Sequence, residues 1–420
     1  MVTKRCLVVV ALASALIAGT VVAGISDASS KPTVFFACRA MTGSVSSITT
    51  NSGLKCYSGK KVVTWNAVGP QGVRGVAGPT GARGPQGPVG NTGPAGPRLS
   101  LAQIATFSWG RTTAVGANLS GGSYGFTYPY GVAFDGTHMW VVNSNAYSVT
   151  EFNADDGSWI RTVSGGSYGF NVPQAIAFDG QHLWVTNTNG NSVTELNASD
   201  GSWVRTLTNG SYGFSDPFAI AYDGTHLWVT NATGNSVTEL NASDGSWVRT
   251  ISGGSYGFDN PEPIAFDGSH LWIGNFRFGG SSLTEVNASD GSWVRTLSGG
   301  SYGFSDPFGI AFDGAHLWVS NYAGNSVTEV NASNGSWVRT VSGGSYGFNQ
   351  PEGVVFDGAR LWVVNVVGNS VTELNANNGS WVQTLSGGAY GLNLPLQAAF
   401  DGSRVWVTNA SGNSVTEVIP

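Results

Sequence analysis

The tripeptide Phe-Asp-Gly, once as Tyr-Asp-Gly, returns along the chain at a nearly fixed interval, with its Asp at 135, 179, 223, 267, 313, 357 and 401. The interval is 44 residues, except for one step of 46. The unit reads, with small departures, Ser-Gly-Gly-Ser-Tyr-Gly-Phe, a Pro, the Asp-Gly motif, Leu-Trp-Val, Gly-Asn-Ser-Val-Thr-Glu, and Asn-Ala-Ser-Asp-Gly-Ser-Trp-Val-Arg-Thr. A period in the low forties, holding four short strand-like runs, predicts the blades of a β-propeller.

The runs stand out in the second unit. Ala175–Phe178, His182–Thr186, Ser192–Leu196 and Ser202–Thr206 are separated by Asp179-Gly180, by a loop over 187–191 and by a turn ending at Gly201. Asp-Gly between apolar runs is a strong hairpin signal. The first two strands are apolar at both parities, as in sheets covered on both faces. The outer two alternate Thr, Glu and Arg with apolar residues and are expected to face more solvent.

The ends of the array predict how the ring closes. The last unit stops at Val418-Ile419-Pro420, one strand short, and Ser108-Trp109-Gly110-Arg111-Thr112 precedes the first unit. We expect this early segment to complete the last blade, removing the free edge that an open array would expose. The result is an all-β, seven-bladed propeller over about residues 104–420 with strand-swapped closure.

Three stretches, Pro307–Gly314 (Pro-Phe-Gly-Ile-Ala-Phe-Asp-Gly), Leu227–Asn231 and Gly234–Glu239, resemble the NHL and YVTN repeat propellers. The resemblance extends through all seven units and implies the fold; one fold hosts many activities, so it implies no particular chemistry. Streptogramin B lyases are similar propellers, which makes a lyase or hydrolase the alternative reading. No catalytic residue of that family finds a matching position here.

In such a ring the Asp-Gly and Asn-Ala-Ser-Asp-Gly turns share one face and hardly vary between units. The loop after the second strand and the linker between blades share the other face. There the units differ: Tyr128, Tyr130, Phe218, Glu262, Phe308, Glu352, Leu394 and Leu396 beside the linker Pro, and Asn145, Tyr322, Val366, Val367 and the insertion around Phe276-Arg277-Phe278 in the loop. Aromatic residues on a rigid face stack on sugar rings or anchor protein partners. They equally fill the mouth of a tunnel by packing on one another. Tyr128, Tyr130, Phe218, Glu262, Phe276, Arg277, Phe278, Phe308, Tyr322 and Glu352 are therefore the candidate ligand-face residues. His138, His182, His226, His270 and His316 recur at one turn position, where Arg360 and Arg404 replace them in the last two units. Copies in different blades are too far apart to share a metal, so these read as turn residues. Neither a metal nor a cofactor is called for.

The first hundred residues have a different character. Lys4 and Arg5 precede an apolar run from Leu7 to Ile25, with small residues at 23 and 28, a secretory signal pattern over 1–28 that also has the length of a membrane anchor. Residues 31–68 contain Cys38 and Cys56, and an even pair in an exported chain points to a disulfide. This stretch resembles the small two-cysteine modules that precede collagen-like tracts in some bacterial surface proteins. From 69 to 98 Gly occupies every third position through ten Gly-X-Y triplets, the pattern of a collagen triple helix or, unassociated, of an extended polyproline-type linker. A triple helix would make a homotrimer.

Residues 1–100 carry a net charge of +9 and residues 101–420 a net charge of −15. The acidic head repels phosphate backbones, which argues against nucleic acid. The basic stalk suits anionic cell-envelope polymers. The sequence thus leads to a secreted or cell-surface, non-enzymatic binding protein whose carbohydrate or protein ligand meets the variable face. A structural spacer without a ligand is the third reading.

Overall fold

The computed structural model describes residues 34–39, 45–49, 61–66, 114–208, 210–276 and 281–420. Two units divide at Thr112/Thr113. In the first, Val34–Arg39 lies between Val45–Thr49 and Lys61–Asn66 in an antiparallel three-stranded sheet. Cys38 sits in the central strand. Cys56, the signal segment and the Gly-X-Y tract lie outside the described residues, and the expected disulfide with them.

The second unit is a ring of seven four-stranded antiparallel sheets. In blade 2 the strands run Pro173–Phe178, His182–Asn187, Ser192–Asn197 and Trp203–Leu207, here called a to d from the axis outward. Burial departs from expectation in one respect. Strand c is buried along almost its whole length, including Thr194 and Glu195, whereas strand a is only partly buried. The reason is geometric: strand c is covered by both neighbouring blades, while strand a lines the central channel.

Each blade is organised around one Asp. In blade 3, Asp223 Oδ1 accepts the backbone N–H groups of Thr225 and His226 at 2.8 and 2.7 Å, fixing the a–b turn. Its Oδ2 accepts the indole N–H of Trp228 at 2.8 Å. That Trp, like its six counterparts, is at most 1% exposed. The apolar core is divided into one cluster per blade interface: Trp184 of blade 2 packs with Ile220, Leu227, Val229 and Leu240 of blade 3. The last interface is made in the same way, with Trp406 of blade 7 against Met139, Val141 and Phe152 of blade 1.

The ring is closed by Ala114–Leu119, which forms strand d of blade 7 against Ser414–Ile419. Val415 pairs with Leu119 as Val193 pairs with Leu207 in blade 2. An N-terminal segment does close the ring, but it is not the segment expected. Ser108–Thr112 matches the repeat in composition and precedes the true register by six residues, since Leu119, not a residue near Thr112, stands where Leu207 stands. Residues 108–112 lie outside the described residues.

Charge explains why the closing strand lacks the repeat's Arg. In blades 1 to 5 the buried strand-c Glu meets a strand-d Arg, as Glu195 meets Arg205 Nε at 2.8 Å. The same Arg donates to a carbonyl in the c–d turn of the next blade, as Arg205 does to Asp244. Blade 7 has no c–d hairpin, because its strand c is Ser414–Ile419 and its strand d is Ala114–Leu119. Blade 6 accordingly carries Gln383, which donates to Glu373 at 2.6 Å, and takes its Arg from strand b, Arg360 Nε lying 3.4 Å from Glu373. In blade 7 Arg404 Nε reaches Glu417 at 2.8 Å and also donates to the Ala154 carbonyl of blade 1. Gly116 and Ala117 leave room for Glu417, which accepts the Ala117 N–H at 2.7 Å. The two Arg residues at the histidine position therefore replace, blade for blade, an Arg lost from strand d.

Removing one partner of a shielded ion pair leaves the other charge without compensation. Arg404→Ala should lower stability to urea by about 2–3 kcal/mol, and adding Glu417→Gln should restore more than half of that loss. A loss below about 0.5 kcal/mol would mean that Arg404 does not hold the closing interface.

Candidate functional site

The residues on either side of the linker Pro form two rings at the variable end of the channel. Those before it are Tyr128, Val172, Asp216, Asn260, Asp306, Gln350 and Leu394, all in the left-handed region with φ of 51–58°. Outside Gly this conformation costs about 1–2 kcal/mol per residue. It is held from the preceding blade. Asn191, Asn235, Asn325 and Asn369 accept the N–H of Asp216, Asn260, Gln350 and Leu394 at 2.7 Å, Asn413 accepts that of Tyr128 at 2.9 Å, and Ser281 that of Asp306 at 2.8 Å. The backbone is clamped by repeat residues, so the side chains it presents are free to differ. In blade 1 the clamping position is Tyr147, 47% exposed with φ 51°.

The residues after the Pro are Tyr130, Gln174, Phe218, Glu262, Phe308, Glu352 and Leu396. Aromatic rings from alternate blades meet here. Tyr130 and Phe218 are edge-to-face with centroids 6.4 Å apart, and Phe218 and Phe308 at 5.8 Å. Phe276 and Tyr322 extend the set, 5.5 and 5.9 Å from Phe308. Tyr128, Tyr130, Tyr322 and Leu394 pack on buried Val366, Leu396 and Ala410. A cavity of about 170 Å³ adjoins these rings, lined by Tyr130, Gln174, Phe218, Phe308 and Gln397 and, deeper in the channel, by small and β-branched strand-a residues such as Ile176.

Two buried carboxyls stand at the same ring position behind the cavity lining, one of them bonded to the lining residue Tyr130. Glu352 is 4% exposed, and its Oε1 accepts the Tyr130 hydroxyl at 2.6 Å across blade 7. Glu262 is 8% exposed; its Oε1 accepts from Asn260 Nδ2 at 2.7 Å, while its Oε2 has no hydrogen-bond partner among the described residues. Burial pushes Glu352 up to about 8, against the pull of the Tyr130 hydroxyl and with the negative field of Glu262 adding to it. Burial likewise pushes Glu262 up to about 8; Asn260 opposes this, and Asp216 and Asp306 reinforce it. Asp306 is itself raised by burial, and its Oδ2 is also unpartnered among the described residues. The fields of Glu352 and Glu262 both reach the Tyr130 phenol, which burial already holds well above its ordinary range. Paired acids shifted in this way, beside a cavity, make the mouth the candidate functional site.

Most of the sequence-derived set is thus gathered at one point: Tyr128, Tyr130, Phe218, Glu262, Phe276, Phe308, Tyr322 and Glu352. The two readings of the aromatics meet there, since the rings pack on each other at the tunnel mouth and still border an open cavity. Arg277 and Phe278 lie outside the described residues. Gln174, Gln397, Asp216, Asp306 and Tyr147 were missed. Gln174 and Tyr147 were within reach of the same comparison between units. Asp216 and Asp306 both stand in a Ser-Asp-Pro that two units share, so they did not register as departures. The histidines sit at the opposite turns, each tied to its own blade, as His182 Nδ1 lies 3.5 Å from Asp179 and 3.6 Å from Glu195.

The buried acids set a pH dependence. Their folded pKa values exceed the unfolded ones, so the stability they contribute is fully present below about 4.5 and is lost as pH rises through about 8. The ligand-free protein should melt several degrees lower at pH 9 than at pH 6, and Glu262→Gln with Glu352→Gln should remove most of that difference. An undiminished pH slope in the double variant would place its origin elsewhere.

No known family profile matches the chain, and no curated protein matches it. Solved structures do. Selenomethionine-substituted virginiamycin B lyase from Staphylococcus aureus is similar with a TM-score of 0.60 and 18% identity, over 73% of this chain and 99% of that one. A streptogramin B lyase structure is similar with a TM-score of 0.58 and 15% identity, over 73% and 97%. At such identities the likeness is one of fold, and it supports the seven-bladed propeller.

Proposed function

We propose that this chain is an exported binding protein that takes its ligand at the variable mouth of the propeller channel. The observation that carries the proposal is the division of labour within the repeat. Residues that build the blades and clamp the linkers recur from unit to unit, whereas the two rings at the mouth differ from blade to blade. Random drift would scatter the differences over both faces. Half-buried aromatic rings beside a cavity provide the contact area, and Glu262, Glu352, Gln174 and Gln397 provide polar recognition. The ligand class is a carbohydrate or a protein side chain presented to that mouth.

The rest of the chain fits this role. The signal pattern carries the protein across the membrane, to the cell surface or the medium, and the Gly-X-Y tract holds the propeller away from its attachment. Association of three tracts would raise weak single-site binding through avidity. The basic stalk would lie along anionic envelope polymers. The lyase alternative draws on the fold likeness and on the two shifted carboxyls, which have the character of general acids.

Probing a glycan and peptide array with the full chain tests the reading. We expect a discrete set of ligands, with affinity reduced at least tenfold by Phe218→Ala plus Phe308→Ala and unaffected by Trp203→Ala on the outer rim. Conversion of a bound ligand into product would instead favour the lyase, and an array without signal would leave a spacer.

A further inference from the structure

The mouth of the channel combines an aromatic wall with an excess of buried acid. Tyr130, Phe218, Phe308, Phe276 and Tyr322 form a continuous set with centroid separations of 5.5–6.4 Å. Glu262 and Glu352 stand at the same ring position as three of these aromatics, on blades 4 and 6. They are close enough for the field of Glu262 to act on both Glu352 and the Tyr130 hydroxyl. Packing alone gives no reason for acids here. The other blades fill this position with Tyr, Gln, Phe or Leu, and burying a carboxyl among them is costly.

Among the described residues the counter-charges are elsewhere. The described arginines 161, 205, 249, 295, 339, 360 and 404 each lie against the strand-c Glu of their own blade. No Lys occurs beyond Lys61. The charged and titratable groups whose fields meet at the mouth are Asp216, Glu262, Asp306, Glu352, Tyr128, Tyr130 and Tyr322, all acids or phenols; Arg277 lies outside the described residues. An independent observation points the same way. Glu262 Oε2, in a residue only 8% exposed, has a free acceptor with no donor among the described residues.

Aromatic faces and carboxylates recognise one chemical class in common, the organic ammonium ion. Rings attract the cation through their quadrupoles, and the carboxylates supply its charge partner. An inorganic cation would gain little from a wall of Phe. A cavity of about 170 Å³ is below the size of a whole drug-like ligand, so it fits a head group whose remainder lies outside.

We infer that the channel mouth binds the alkylammonium head group of its ligand between the aromatic wall and the Glu262–Glu352 pair. This rests on the binding role proposed above and specifies the group that is recognised. The pair is largely neutral below about pH 8, and a bound cation favours its ionised form. Binding therefore releases protons and strengthens as pH rises, by up to about tenfold per pH unit for each proton released.

Calorimetric titration of the full chain with choline, and with its uncharged isostere 3,3-dimethyl-1-butanol, tests this at pH 6 and pH 9. We expect choline to bind at least tenfold tighter than the isostere at pH 9, with a smaller margin at pH 6. Buffers of different ionisation enthalpy should reveal the released proton. Glu262→Gln with Glu352→Gln should abolish the preference for the cation while leaving the weak binding of the isostere, and Phe218→Ala with Phe308→Ala should weaken both. Equal binding of the two probes, a preference that survives the double Gln variant, or failure of choline to bind at all would each overturn the inference. Array ligands sensitive to the aromatic variant but indifferent to the Gln variant would overturn it while preserving the binding site itself.

Discussion

Six blades bury the carboxylate of one strand-c glutamate and blade 7 partly buries its own, and the ring depends on how that charge is met. In five blades the partner is an arginine from strand d, whose guanidinium also reaches the turn of the next blade. One residue thereby neutralises a buried charge and ties two wedges together. Its loss would leave an ion without compensation in a shielded site, which costs more than the contact contributes on its own. The place where strand d comes from a distant segment is the place where this scheme changes. Arg360 at the start of strand b and Arg404 just before it approach their glutamates from that side, and Arg404 makes the link from blade 7 to blade 1. Closure is thus an electrostatic arrangement as well as a hydrogen-bonded one.

The same economy separates structure from recognition. The Asp–Trp bond, the aspargine clamps and the interface clusters use residues that the units share, and together they fix the path of the linkers. Left-handed backbone recurs at seven non-glycine linker positions, and at six of them a side chain of the preceding blade holds the backbone N–H. Side chains on a backbone determined elsewhere can change without remodelling the blade. This is how a sevenfold scaffold presents a mouth without sevenfold symmetry, with rings on blades 1, 3 and 5 and acids on blades 4 and 6.

Much of the architecture was legible in the sequence, because turn chemistry repeats with it. Asp-Gly motifs marked the hairpins, the strand runs fell within a residue or two of their observed limits, and the period gave the blade count. What failed was inference from composition alone. Ser-Trp-Gly-Arg-Thr looks like strand d, but register is set by spacing to the Ser-Tyr-Gly-Phe linker, and that spacing selects Ala114–Leu119. The burial of strand c was also misjudged, because Thr and Glu read as exposed residues until their partners Asn, Arg and His are placed. At the mouth, unit-to-unit comparison found the rings and both glutamates. It overlooked Asp216 and Asp306, whose shared Pro context made two unusual residues look ordinary.

Strand d of blade 7 comes from residues 114–119 and strand c from 414–419, so the two halves of one sheet lie about three hundred positions apart. During synthesis the first six blades have their own four strands and can assemble as they emerge, whereas residues 114–119 must wait for residues 414–419. The last contact to form is therefore the one of longest sequence separation, the kind that carries the greatest loop-closure cost. Until residues 414–419 are in place the blade would keep an unpaired edge, so the circular design makes the seal of the whole ring depend on its most distant pairing.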